Sequence, residues 1–187
     1  MPEPSELAEL RSTEWLILVY KVPSEPTRLR ATVWRRLRTL GAVYLQNSVV
    51  ALPPGAARER ALRKLRHEIT AMSGTAVLFR SSVLAGEADV LGSYQAARDD
   101  EYEEITDRCQ DFLAQVEKEH VAEHFTFAEL EENEVDLVKL RGWFDKVRER
   151  DVFDAPGRAA SEVALAACER ALEAYAARVY EVESEGH

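Results

Sequence analysis

Residues 15–21, WLILVYK, are apolar on both alternating faces, the pattern of a central strand covered on each side of its sheet. Such a strand needs neighbours at both edges and a layer over each face, so it constrains everything around it. Trp15, Ile17 and Val19 point one way, and Leu16, Leu18 and Tyr20 the other. PSEPTR (23–28) then breaks the strand and offers Ser24 or Thr27 as a helix N-cap, with Pro26 in the first turn. In TRLRATVWRRLRTLG, Leu29, Val33, Leu37 and Leu40 recur at helical spacing before Gly41, a suitable C-cap. Val43–Gln46 and Val49–Leu52 read as a hairpin about Asn47-Ser48, closed by Pro53-Pro54-Gly55. A second helix is expected from about Ala57 to Met72, with Leu62, Leu65, Ile69 and Met72 on one face. Ser73-Gly74 stops it and Thr75–Phe79 forms one more strand. The order β-α-β-β-α-β predicts a ferredoxin-like α+β unit over residues 13–80. A winged helix competes, but the third helix it needs before the wing is missing.

After residue 80 the hydrophobic period changes. One long helix is predicted from about Ala88 to His124, where Tyr102, Ile105, Cys109, Phe112 and Val116 step by three and four. Thr126-Phe127-Ala128-Glu129 is a capping box, with Phe125 and Leu130 placed to form its hydrophobic staple. The helix starting there runs to about Arg150 and buries Leu137, Leu140, Phe144 and Val147. Asp154-Ala155-Pro156-Gly157 punctuates, and a last helix carries Leu165, Cys168, Leu172, Tyr175 and Val179. Three complementary seams predict a helical bundle over residues 88–181.

The two parts differ in charge. Residues 1–80 carry 13 Lys/Arg against 7 Asp/Glu, net +6, while residues 81–187 carry 11 against 27, net −16, giving −10 for the 187-residue chain. Halves of opposite sign imply different partners. No apolar run approaches the roughly 18–20 residues of a membrane span, and the opening MPEPSELAEL is acidic where a secretory signal would be basic. A cytoplasmic location is therefore expected. Cys109 and Cys168 form neither a disulfide framework nor a CxxC pair, so reduced thiols are expected.

The segments WLILVYKVPSEPTRLRATVWRRLRTLGAVYLQNSVVALP, AARDDEYEEI, FTFAELEENEVDLVKLRGWF and RDVFDAPGRAA, in that order, resemble the N-terminal region of the ChrB family of chromate-resistance regulatory proteins, over roughly residues 13–181. The resemblance implies a cytoplasmic bacterial protein linked to control of chromate resistance at the level of transcription. Longer members continue into a second region credited with chromate sensing, and no ligand residue is carried over to this chain.

The strongest chemical lead is a basic surface. Arg28, Arg35 and Arg38 on the first helix fall opposite its leucine face, as do Arg60, Arg63, Lys64 and His67 on the second. In a split βαβ fold both helices lie on one side of the sheet, so these arcs become neighbours. Arginine's planar fork suits phosphate oxygens, which makes Arg28, Arg35, Arg38, Arg60, Arg63 and Lys64 the expected DNA contacts. A solvated helix face is the competing reading. Glu117, His120 and His124 have a spacing that could present metal ligands, or only a core-edge histidine near a helix end. Asp99, Asp100, Glu101, Glu103 and Glu104 lack the glycine and ligand spacing of a calcium loop. Both cysteines lie on apolar seams, as small buried hydrophobes rather than as reductants of chromate. Trp15, Trp34 and Trp143 read as core or interface anchors. No phosphate-binding loop, nucleotide fingerprint or nucleophile elbow occurs, so no enzyme and no cofactor is expected. The expectation is a DNA-binding regulatory protein acting as a homodimer. Its rivals are a protein-interaction and assembly module and an oxyanion-binding or chromate-reducing protein.

Overall fold

The computed structural model describes residues 14–185. The acidic N-terminal decapeptide and the expected domain start at residue 13 lie outside them. The elements run β1 (Glu14–Lys21), α1 (Arg28–Leu40), β2 (Val43–Gln46), β3 (Val49–Leu52), α2 (Ala56–Ala71), β4 (Thr75–Ser82), α3 (Glu87–Val121), α4 (Phe127–Arg150) and α5 (Arg158–Glu185). The chain divides into two compact units between Tyr94 and Gln95, inside α3.

In the first unit the four strands form one antiparallel sheet in the order β2-β3-β1-β4, as the β-α-β-β-α-β sequence requires. Pairing Leu16 with Leu52 and Leu18 with both Val50 and Leu78 puts these side chains on one face. That face packs against Val33 and Leu37 of α1 and Leu62, Leu65 and Ile69 of α2. Each large side chain so buried contributes about 1.5–3 kcal/mol. α1 ends where predicted: Gly41 adopts φ 77°, and the N–H groups of Gly41 and Ala42 donate to the carbonyls of Arg38 and Leu37. Its N-cap is Thr27, whose side chain makes no capping bond. Gly74 is required at the turn from α2 into β4. A Cβ there would lie 2.5 Å from the Lys21 carbonyl oxygen and 2.7 Å from Ile69 Cγ2.

The other face of the sheet is treated unevenly. Trp15 is buried, with Tyr94 of α3 meeting its ring edge-on at 5.9 Å. Val19, Val77 and Phe79 on the same face remain 40–52% exposed.

The second unit is the expected bundle. Every seam residue named above is buried, from Tyr102 to Val116 on α3, Leu137 to Val147 on α4 and Leu165 to Val179 on α5. Thr126 caps α4 by accepting from the Glu129 N–H at 3.3 Å, and Phe125 and Leu130 are both buried beside it. The Tyr102 carbonyl accepts from the Ser161 hydroxyl at 2.6 Å, fixing α5 against α3. Arg98 and Arg150, both largely buried, converge on Glu101 at 2.6 and 2.7 Å.

The long helix corrects one expectation. α3 ends at Val121 rather than His124, because Glu123 turns into the left-handed region at φ 54° and the His124 N–H returns to the Glu119 carbonyl. The seam continues from Val116 to Glu119, which is 7% exposed, and not to His120.

Candidate nucleic-acid interface

α1 and α2 lie side by side on the sheet, and a shallow cavity of about 370 Å³ runs between them. Arg35, Arg36, Thr39 and Leu40 line it from α1, and Ala61, Lys64 and Leu65 from α2. The leucines and Ala61 form an apolar floor because they border the buried faces of their helices. The cations rise on the two walls. Among the described residues no carboxylate lines the groove.

The expected phosphate-binding residues are all exposed, but they do not stand in one environment. Arg35 and Lys64 are brought together on opposite walls of the groove. Arg35 is braced by its Nε donating to the Ala31 carbonyl at 3.2 Å, which steadies the guanidinium without cancelling its charge. Arg60 sits one turn before Lys64 on α2, and Arg28 opens α1. Arg38 lies along the other flank of α1, with its guanidinium 5.4 Å from the Trp34 ring centroid.

Arg63 is differently placed. It makes a 2.7 Å ion pair with Glu59 on its own helix, and Arg80 of β4 reaches the same carboxylate at 2.7 Å. Hydrogen bonds from Arg63 and then Arg80 hold the Glu59 carboxyl below its usual range, so Glu59 stays ionised and masks Arg63.

Sequence reasoning did not include Arg36, Thr39 or Trp34 in the site. Arg36 borders the leucine face of α1, and its Nε reaches Glu68 of α2 at 3.2 Å. That cross-helix pair clips the two walls together. Trp34 is 47% exposed rather than in the core. Its position four residues before Arg38 and four after Arg30 is the signal that could have found it.

The other constellations are absorbed by structure. His120 stacks edge-on against Phe125 at 5.2 Å, while His124 Nδ1 lies 3.2 Å from the buried Glu119 carboxylate, which also accepts from Gln115. Asp99 accepts from the Gly157 N–H at 2.7 Å, and Glu101 is held by its two arginines. Among the described residues no group of three or more His, Cys, Asp or Glu could hold a metal ion. No helix among them is long and apolar enough to cross a membrane.

The family described as "Protein ChrB, N-terminal" matches residues 30–186, taking in all but the first two residues of α1, both walls of the groove and the whole bundle. The chain belongs to the ChrB family. Membership ties it to the regulation of chromate resistance. No curated protein and no solved structure matches the chain. For a ChrB N-terminal region, the groove between α1 and α2 is where cationic side chains from two elements converge.

Proposed function

We propose that this chain is a non-catalytic, cytoplasmic DNA-binding regulator of chromate resistance, contacting backbone phosphates through the groove between α1 and α2. The observation that carries the reading is the convergence of Arg35 and Lys64 on opposite walls of a groove that, among the described residues, no carboxylate lines. A phosphate between them would meet a forked donor on one side and a mobile ammonium on the other. Arg28, Arg38 and Arg60 extend the positive surface beyond the groove. The strongly acidic remainder of the chain opposes general adsorption to DNA, so affinity depends on a particular site.

The test is salt-titrated binding to the DNA upstream of the protein's own gene. Neutralising about four phosphates gives log K against log salt a slope near −3.6, a loss of about 150-fold between 50 and 200 mM. Replacing Arg35 and Lys64 together by Glu should abolish binding with the fold intact, because both side chains are exposed. Salt-insensitive binding, or unchanged affinity of the double variant, overturns the reading.

A second reading, assembly, is favoured by the outer sheet face. Ile17, Val19, Val49, Ala51, Val77 and Phe79 are its apolar residues, with Val19 directly opposite Val77, and Lys21 stands on the same face at the end of β1. A second copy turned about a two-fold axis would meet the apolar centre of this face, although each chain carries a net charge of −10. The homodimer proposed here uses that face and leaves the cationic groove open.

A further inference from the structure

We infer that the groove between α4 and α5 is a docking site for a cationic amphipathic helix of another protein. Three helices of a bundle leave shallow grooves on the outside, and a fourth helix is the natural filler of one that keeps apolar side chains in solvent. This groove is about 550 Å³ in volume, with Leu137 and Val138 from α4 and Leu172 and Ala176 from α5 along it. Leu137 and Leu172 form the floor, continuous with the core, whereas Val138 is 64% exposed.

The two ends are defined. At one, Arg141 crosses from α4 to Glu169 of α5 at 2.6 Å. Just beyond the other, Phe127 of α4 and Tyr180 of α5 meet edge-on at 5.5 Å, 46% and 61% exposed. Phe127 and Arg141 are fourteen positions apart, so the site is about 21 Å long, the length of a four-turn helix. A half-exposed aromatic pair at one end of a leucine-floored groove with Val138 in solvent offers a recognition surface rather than a solvated helix face.

The walls choose the sign of the partner. Glu134 lines the groove from α4 and Glu173 from α5, and Glu131 falls on the same helical stripe as Phe127, Glu134 and Val138. The groove's own cation, Arg141, is committed to Glu169. A docking helix with leucines at i, i+3, i+4 and i+7 and lysines or arginines flanking them would meet apolar floor and carboxylate walls together. An acidic helix would be repelled.

The experiment uses the full chain and two designed sixteen-residue helical peptides with the same leucine stripe, one flanked by lysines and one by glutamates. The lysine peptide should bind at least tenfold more tightly than the glutamate peptide. Glu134→Lys with Glu173→Lys should weaken it at least tenfold, and Val138→Gln several-fold, with unchanged urea midpoints. Asp100→Lys with Glu104→Lys, on the exposed face of α3, should bind it as wild type does. Equal binding of the two peptides, no binding of the lysine peptide, or equal loss in the α3 control overturns the inference. None of these substitutions touches α1 or α2, so the outcome is independent of DNA binding.

Discussion

The Cys168 thiol donates to the Cys109 carbonyl oxygen at 3.4 Å, and neither side chain is exposed. Burial, with the neighbouring Cys109, pushes the Cys168 thiol up to about 12, and burial raises Cys109 as well. The thiolate is the reactive form, so native protein should label with a thiol reagent at pH 8 at least a hundred-fold more slowly than urea-unfolded protein. Because the folded values lie above the ordinary value of 9, the unfolded chain releases these protons first. Stability is therefore unaffected by the thiols below about pH 9 and falls as pH rises from there towards 12. Rapid native labelling, or urea midpoints that rise over that interval, would contradict the buried pair.

Asp151 ends α4 as a buried acceptor, taking the Tyr102 hydroxyl and the Ala155 N–H at 3.1 Å each. Removing it strands two donors among apolar neighbours. Asp151→Ala should cost about 1–3 kcal/mol and Tyr102→Phe about 1 kcal/mol. The double variant should lose less than the sum, since the two changes delete one shared bond. Urea denaturation of the four proteins measures the cycle, and strict additivity would mean that the bond contributes nothing.

The two neighbouring cations of α2 should behave unequally towards DNA. Lys64→Gln removes a groove charge, whereas Arg63→Gln removes one already matched by Glu59. The expected result is a salt slope shallower by about 0.9 for Lys64→Gln and a smaller change for Arg63→Gln. Glu59→Gln, which unmasks Arg63, should strengthen binding. Equal slopes for the two cation variants would show that the Glu59 pair does not persist in solution.

Dimerisation through the sheet is tested by Val77→Lys with Phe79→Lys, both at half-exposed positions of β4. Sedimentation of wild type at tens of micromolar should give twice the 21.1 kDa chain mass, and the double variant the monomer mass with an unaltered circular dichroism spectrum. A 21.1 kDa wild-type species removes the dimer.

Much of the fold can be read from local signals. The two-sided apolarity of Trp15–Tyr20 requires a central strand, and the three-and-four steps from Tyr102 to Val116 require a buried helix face, because burial dominates the choice at such positions. Helix ends are less legible. The end of α3 depends on Glu119, which no motif in the sequence marks but whose buried carboxylate accepts from Gln115 and lies beside His124. The candidate site was half visible. Helical phase puts Arg35 and Lys64 on outward arcs, but the masking of Arg63 depends on a carboxylate shared with Arg80 from a strand 17 positions later. No pattern within α2 announces that third partner.

The sheet's two borders differ in a way that bears on handling the protein. β2 has four residues, and its pairing slips between Tyr44 and Gln46, so it offers little template for strand addition. β4 has eight, and its outer row of amides pairs with no strand among the described residues. Val77 and Phe79 stand along it. Templated self-stacking during overexpression or slow refolding should therefore begin at β4, and a lysine on that border is the change most apt to keep concentrated protein in solution.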